Sequence, residues 1–367
     1  MTRKAKEILI VTSEFPPQPG GIGNHAYNLA LYISKQGYDV SVIADQRSLK
    51  GVDEVEFDND LPFNVIRIKR YSFRVRMYIN RLICTYRKMN QASCVIATGK
   101  FSLWNVGLLS NFFKIKTIAV IHGTEVNFKP FLLRKSVNTA LKQFNKIIAV
   151  SNYTKDLVSS LNKDVYVIPN GINLKDWEVN KANTNSLKGS PALTTVGRVS
   201  SRKGQLNVIS HLPKLINEFP ELHYHCIGIP TEAETFLIKA KQLNVQDYVT
   251  FHGSLDSKDL KEKLNETDIF VMLSSESGTG DVEGFGIAIL EANALGIPAI
   301  GSKGCGIEDA VNQGASGFLI NHNDSLQLVE SIKRILNNKG VFSKGAIDWS
   351  KQHDWSYIIK DYLQLLE

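Results

Sequence analysis

Short, unbroken runs of β-branched and apolar residues alternate with helical patterns along almost the whole chain, and they do so in two series. The first series of strand candidates is Glu7–Ser13, Asp39–Asp45, Asn64–Lys69, Ser93–Thr98, Lys116–His122, Lys146–Ser151 and Asp164–Ile168. Helical stretches such as Gly23–Gln36, Phe131–Phe144 and Tyr153–Leu161 separate them. The second series is Ala192–Gly197, His223–Gly228, Tyr248–Phe251, Ile269–Leu273, Pro298–Gly301 and Gly317–Ile320. Its helices include Gly204–Glu218, Thr235–Gln242, Ser257–Asn265, Gly286–Leu295 and Ser325–Asn337. Strands without polar alternation are covered on both faces, and helices between them make the sheets parallel.

Two such series predict an α/β chain of two doubly wound, Rossmann-like domains, covering 1–169 and 170–350. A length of 367 residues exceeds one core and suits two. The segment Asn180–Pro191 is polar, without apolar period, and reads as a loop near the junction. The terminal stretch 351–367 has a helical pattern with Trp355, Ile358, Ile359, Tyr362 and Leu366 on an apolar face. That face needs a partner, which either domain supplies; packing back on the first is one expectation.

Hydrophobic residues make up 43% and charged residues 22%, which excludes disordered, collagen-like and coiled-coil classes. Apolar runs such as Thr117–Ile121 are too short to span a bilayer. Met1–Glu7 is polar and shows no signal-peptide pattern. Cys84, Cys94, Cys226 and Cys305 have no C-x-x-C spacing. They read as free buried thiols of a cytoplasmic protein, and no metal site is expected from them.

The charge is one-sided. Residues 1–169 hold 24 Lys and Arg against 12 Asp and Glu, or +12. The remainder holds 19 against 24, or −5, and the two give the chain's +7. From Leu61 to Thr124 there are 11 Lys or Arg and no acid. An anionic partner for the first half follows: a membrane surface, a phosphorylated substrate or nucleic acid. Within this stretch Ile79, Leu82, Ile83 and Tyr86 fall on one helix face, with Arg81, Arg87 and Lys88 elsewhere on it and Arg74 and Arg76 just before. The stripe reads either as a core-facing seam or as the apolar side of a helix resting on anionic lipid. No aromatic RNA-binding signature or zinc-finger spacing accompanies the charge, so nucleic acid is not expected.

Ligands of doubly wound sheets bind beyond the carboxyl ends of the strands, so the residues there are the candidates. Ser13 to His25 contains Gly20, Gly21 and Gly23 and opens a helix; it suits a phosphate or is a tight structural turn. His122 ends a strand and begins His-Gly-Thr-Glu125; it is an acid, base or polarising group, or a structural histidine. Gly197 to Gly204 carries Arg198, Arg202 and Lys203 before a helix and suits a diphosphate; a cationic surface loop is the alternative. Ser277 to Ala292 is a glycine-rich loop entering a helix, with Glu283 in the loop and Glu291 among apolar residues. A carboxylate so placed suits paired hydroxyls such as those of a ribose.

The segment E-G-F-G-I-A-I-L-E-A, with Glu283 and Glu291 eight apart, resembles the E-x7-E motif of the family-4 retaining glycosyltransferases of the GT-B fold. The resemblance covers nearly the whole chain: E-F-P-P-Q-P-G-G-I-G is similar to the family's N-terminal glycine loop, V-I-H-G-T-E-V to its histidine segment, I-P-N-G-I with Asn170 and Gly171 to its interdomain segment, and G-R-V-S-S-R-K-G to its diphosphate clamp. The overall pattern is most similar to bacterial phosphatidylinositol-mannoside mannosyltransferases and to lipopolysaccharide or capsule glycosyltransferases.

The resemblance implies two domains facing across a cleft and a hexose donor that is a UDP- or GDP-sugar. Arg198 and Lys203 are then the diphosphate cations, helped by amides near Gly21 and Ile287. Glu291 holds the ribose, and Glu283 with Gly284, Phe285 and Gly286 holds the hexose. His122 lies beside the transferring sugar, and the base lies near Gly253. The resemblance further implies retention of configuration, no metal, and a glycan or lipid-linked acceptor in surface polysaccharide or lipopolysaccharide synthesis, with the enzyme peripheral on the inner membrane face. A sugar-nucleotide 2-epimerase and a non-catalytic sugar-nucleotide-binding protein are the competing readings.

Overall fold

The computed structural model describes residues 7–71, 73–178 and 187–366. The chain divides into two compact units, Met1–Asn170 with Trp355–Glu367, and Gly171–Asp354. The two breaks fall after Asn170 and after Asp354.

Unit 1 runs β1 (Glu7–Thr12), α1 (Gly21–Lys35), β2 (Asp39–Asp45), α2 (Val52–Asn59), β3 (Asn64–Ile68), α3 (Arg74–Met89), β4 (Cys94–Thr98), α4 (Lys100–Leu109), β5 (Lys116–Ile121), α5 (Phe131–Leu141), β6 (Lys146–Ala149), α6 (Asn152–Asp156) and β7 (Val165–Val167). Unit 2 runs β8 (Ala192–Val196), α7 (Gln205–Glu218), β9 (His223–Ile227), α8 (Ala233–Gln242), β10 (Val249–Gly253), α9 (Ser257–Asn265), β11 (Ile269–Met272), α10 (Ile287–Ala294), β12 (Ala299–Ser302), β13 (Gly317–Ile320), α11 (Ser325–Asn337) and α12 (Lys339–Gln352). The last helix, α13 (Trp355–Leu366), belongs to unit 1.

The unit 1 sheet has the order β3-β2-β1-β4-β5-β6-β7, and the unit 2 sheet β10-β9-β8-β11-β12-β13. Every strand pairing is parallel. These are the two doubly wound parallel sheets expected from the two series. The strand order reverses between β1 and β4 and between β8 and β11. Loops on the two sides of such a reversal leave in opposite directions and open a crevice, where this architecture places its ligands. In unit 1 the loop after β1 lies there; in unit 2 the loops after β8 and β11 do.

The central strands β1, β4, β5 and β11 are buried almost throughout, which is why they read as unbroken apolar runs. α4 packs between α3 and α5 and is apolar all round, so no period marked it in the sequence.

Three expectations are corrected. The stripe of α3 is not a continuous core seam: Ile79, Ile83 and Tyr86 are 49%, 45% and 51% exposed, Leu82 alone of the four packs partly against the core, and the helix buries Arg81, Thr85 and Met89. Arg81 is drawn inward by Asp45 at the end of β2, with which it forms a two-nitrogen ion pair, and Thr85 accepts a buried hydrogen bond of 2.8 Å from Asn105 of α4. The terminal stretch 351–367 is not one helix, because α12 continues to Gln352 and α13 begins at Trp355. Cys84 is half-buried, unlike the other three free thiols. Met1–Lys6 and most of the Asn180–Pro191 loop lie outside the described residues.

Candidate active site

In unit 2 the chain leaves β8 at Val196 and turns through Gly197–Gly204 into α7. Gly204 adopts φ +82°, and a β-carbon there would lie 2.1 Å from the Leu273 carbonyl oxygen. A residue without a side chain lets this cation loop lie against the end of β11. Arg202 and Lys203 close a short turn there, while Arg198 stands exposed at the loop's start.

Across from them is the loop after β11. The Lys203 Nζ lies 2.8 Å from Glu283 Oε2. The Arg202 Nη1 donates to that same oxygen, and its Nε reaches Asp281 Oδ2 at 3.1 Å. Burial alone would push Glu283 up, but Lys203 and Arg202 outweigh it and hold the carboxyl down at about 2. Glu283 is therefore an anion at any pH the protein meets.

The backbone behind Glu283 is fixed by the turn Gly304-Cys305-Gly306. The Gly306 N–H donates to the Glu283 carbonyl at 2.9 Å. A β-carbon on Gly306 would sit 2.0 Å from the Gly284 carbonyl oxygen, so only glycine permits the approach. This turn is the support of the Glu283 loop.

Phe285 is buried, Gly286 caps α10, and Ile287 presents the first helical amide. Glu291 stands in the second turn of α10. Burial raises its carboxyl to about 7, with Lys203 opposing. Lys203 is thus electrically close to both glutamates of the motif. Gly253 ends β10, and its carbonyl accepts the Gly228 N–H at 2.8 Å, tying it to the loop after β9.

In unit 1 the loop after β1 is held from below by arginines. Arg47 donates to the carbonyls of Gln18 and Pro19 at 3.3 and 3.1 Å, and Arg67 to that of Pro16 at 2.5 Å. Gly21 begins α1. His122, just past β5, shares a hydrogen bond of 2.7 Å with Thr98 at the end of β4. Its backbone N–H donates to Glu125 Oε1 at 2.5 Å. Burial and the neighbouring His25 hold the His122 imidazolium pKa well below its ordinary value, so the ring is neutral.

His25 of α1 packs against His122 with ring centroids 4.9 Å apart. Its Nδ1 meets Asn170 Oδ1 at 2.8 Å and its Nε2 meets the Tyr362 hydroxyl at 3.2 Å. Since the amide oxygen only accepts, Nδ1 carries the proton and Nε2 accepts from tyrosine. Burial lowers His25 to about 4. Glu125 is buried; burial raises it to about 7, while the amides of His122 and of Glu125 itself hold it back. Its second oxygen has no hydrogen-bond partner among the described residues.

The structure therefore brings Lys203, Glu283 and Glu291 together with Gly284, Phe285, Gly286 and Ile287 at the strand-order reversal of unit 2. It places His122 and Gly21 in unit 1. Of the three cations in this loop, Arg202 bonds two loop carboxylates and Lys203 one. Sequence reasoning did not single out His25, Glu125 or Asp281. Glu125 and Asp281 stood inside quoted motifs, but nothing in their spacing announced a buried partner.

Compared with known families, residues 176–360 match the domain described as Glycosyl transferases group 1, and residues 19–176 match Glycosyltransferase Family 4. A GDP-mannose-dependent alpha-(1-6)-phosphatidylinositol monomannoside mannosyltransferase of Mycobacterium tuberculosis is 23% identical over 345 residues, 90% of this chain and 89% of that protein. The GDP-mannose-dependent monoacylated alpha-(1-6)-phosphatidylinositol monomannoside mannosyltransferase of Corynebacterium glutamicum is 26% identical over 91% of this chain and 90% of its own. Among solved structures, Anabaena Alr3699/HepE in complex with UDP and glucose superposes with a TM-score of 0.79 at 16% identity, covering 98% of this chain and 99% of that one.

Proposed function

This chain belongs to the glycosyl transferases of group 1, and from that premise we propose that it moves a hexose from a nucleoside diphosphate sugar to a glycan or lipid-linked hydroxyl, keeping the α configuration. One observation carries the reading: Lys203 pairs with the motif's Glu283 at 2.8 Å, at the strand-order reversal where this fold binds ligands.

Negative charge grows on the departing diphosphate while the sugar passes through an oxocarbenium-like state. Arg198 and Lys203 stabilise that charge, joined by the amide at Ile287. Fixed donors of this kind act where charge develops and need no reorganisation during the reaction. Two side-chain cations then take the place of a metal. Glu291, ionised, accepts from the two ribose hydroxyls. Glu283 and the amides of Phe285 and Gly286 hold the hexose hydroxyls, and the base lies near Gly253. For His122 the neutral ring fits a hydrogen-bonding partner of the hexose better than a general acid, because its lowered pKa leaves no imidazolium near neutral pH. The leaving phosphate itself takes the acceptor's proton.

The donor is a GDP- or UDP-sugar; the mycobacterial and corynebacterial relatives, by their names, use GDP-mannose and act on phosphatidylinositol mannosides. A lipid-linked acceptor in surface glycan or glycolipid synthesis agrees with the exposed face of α3. Beside it, between edge strand β3 and α3, lies a cavity of about 400 Å³ lined by Ile66, Lys69, Tyr71, Ile83, Arg87 and Lys88. Cations and apolar walls together suit an anionic amphiphile.

A panel of nucleoside diphosphates in a thermal-shift assay identifies the base, since binding raises the melting point. With that donor, Arg198→Ala and Lys203→Ala should each lower turnover by ~10²–10³ with the fold intact. Full activity in either variant refutes the clamp. Activity lost to a chelator and restored by Mn²⁺ refutes transfer without metal, and release of a free epimerised sugar nucleotide refutes transfer itself.

A further inference from the structure

Arg202 spends its guanidinium on the loop that holds Glu283. Its Nη1 bonds Glu283 Oε2 and its Nε lies 3.1 Å from Asp281 Oδ2, so one planar fork joins two acids of the same glycine-rich loop. Lys203 meets that same Glu283 oxygen from the next position in the chain, at 2.8 Å. The site thus holds two cations and two carboxylates in one cluster, and Glu283 has more positive charge around it than one carboxylate requires.

The two cations differ in kind. A guanidinium is rigid, planar and forked, and gains most when two donors are used in fixed directions. An ammonium is a point charge on a flexible stem, and it exchanges one anion for another at little cost. Asp281 and Glu283 occupy the Arg202 fork from two sides. Lys203 meets the cluster at the Glu283 oxygen alone, at 2.8 Å.

We propose that Arg202 is a positioning residue: it pins the Asp281–Glu283 loop so that Lys203 can exchange its Glu283 partner for the phosphate of the donor. The inference rests on the reading of the loop as the donor-sugar site. Without Arg202, the departure of Lys203 would leave a buried carboxylate alone, and such a group takes up a proton and loses its direction. With Arg202 in place Glu283 stays an anion aimed at the sugar, and the resting cluster keeps Lys203 desolvated and poised.

The test compares two ligands that differ only in the sugar. Binding of UDP, GDP, UDP-glucose and GDP-mannose to the full chain is measured by calorimetry from pH 8 down to pH 5, for wild type, Arg202→Met and Arg202→Lys. Arg202→Met should bind the preferred diphosphate within about threefold of wild type and its sugar nucleotide about tenfold or more weakly. The gap between the two ligands should widen toward acid in Arg202→Met and stay flat in wild type, because Glu283 titrates into the range only when its permanent partner is gone. Arg202→Lys should recover part of the sugar-dependent affinity. Equal loss for both ligands makes Arg202 a phosphate cation and overturns the proposal, as does a variant that matches wild type. A wild type that binds none of the four ligands overturns the donor-site reading itself, which the other outcomes leave standing.

Discussion

A carboxyl group in the second turn of an apolar helix holds its proton more tightly than one in water, and Glu291 does so up to about 7. Its folded pKa lies above its unfolded one, so the fold gains from the bound proton at low pH and loses that gain as the pH rises through 7. At pH 8 the buried charge costs at most about 3 kcal/mol. Glu291→Gln should therefore melt several degrees above wild type at pH 8, with the difference gone near pH 4. If Glu291 binds ribose as an anion, wild-type affinity for its diphosphate should fall from pH 8 to pH 6 while Glu291→Gln stays flat and weak. A wild type with pH-independent binding and melting would remove Glu291 from this role. Glu283, eight residues earlier on the same motif, is the opposite case: buried, but held at about 2 by Lys203 and Arg202. Residue type and spacing mark both as candidates. Their charge states depend on which cations the fold sets beside them, and no spacing encodes that.

The elements differ in how plainly the sequence announces them. Strands buried on both faces did so, because every position needs an apolar side chain. Helices α2 and α12 did not, being polar or mixed and facing solvent along much of their length. The apolar stripe of α3 did not reveal what its residues meet; with Arg81 drawn in to Asp45, Ile79, Ile83 and Tyr86 face outward while Leu82 packs partly against the core. α13 needed a partner, and packing against α1 provides it: Trp355 is fully buried against His25 and Tyr32, with ring centroids 5.3 and 6.1 Å away. Its carboxyl end receives Lys116 and Lys146 on the carbonyls of Leu366 and Leu365, the arrangement that the negative pole of a helix favours. Trp355→Ala should cost unit 1 about 3–5 kcal/mol, read by chemical denaturation. A loss below about 1 kcal/mol would mean that α13 is dispensable to unit 1.

At the scale of the whole molecule the charge is one-sided, but less freely than the sequence count implies. Of the 11 cations between Leu61 and Thr124, Arg67 pairs with Asp58 and Arg81 with Asp45, and Arg67 also props the loop after β1. Lys69, Arg70, Arg74, Arg76 and Arg87 remain exposed, alongside the half-exposed Ile79, Ile83 and Tyr86. Each such cation near an anionic bilayer is worth about 1 kcal/mol, and the apolar side chains add to it by burial. No described helix is long and apolar enough to cross a membrane. The chain should float with phosphatidylglycerol vesicles at low salt, be released by high salt, and ignore phosphatidylcholine vesicles. The double variant Ile79→Asp, Ile83→Asp should lose binding without loss of stability, since both side chains are already half in water. Equal flotation of the double variant would move the contact elsewhere; no flotation of wild type would end the membrane reading.

The sequence by itself determined the α/β class, the two parallel sheets and the glycine-rich loops that follow their strands. Continuous apolar runs admit only doubly covered strands, and glycines with charged residues after such strands mark where the backbone must open. The tertiary structure alone decided which charges are spent inside, which face of α3 meets solvent, where α13 returns, and that Arg202 bonds Asp281 and Glu283 while Lys203 bonds Glu283. Those outcomes depend on residues far apart in the chain meeting at atomic distance. A pairing energy exists only once the fold has set its partners side by side, and one-dimensional spacing holds no record of it.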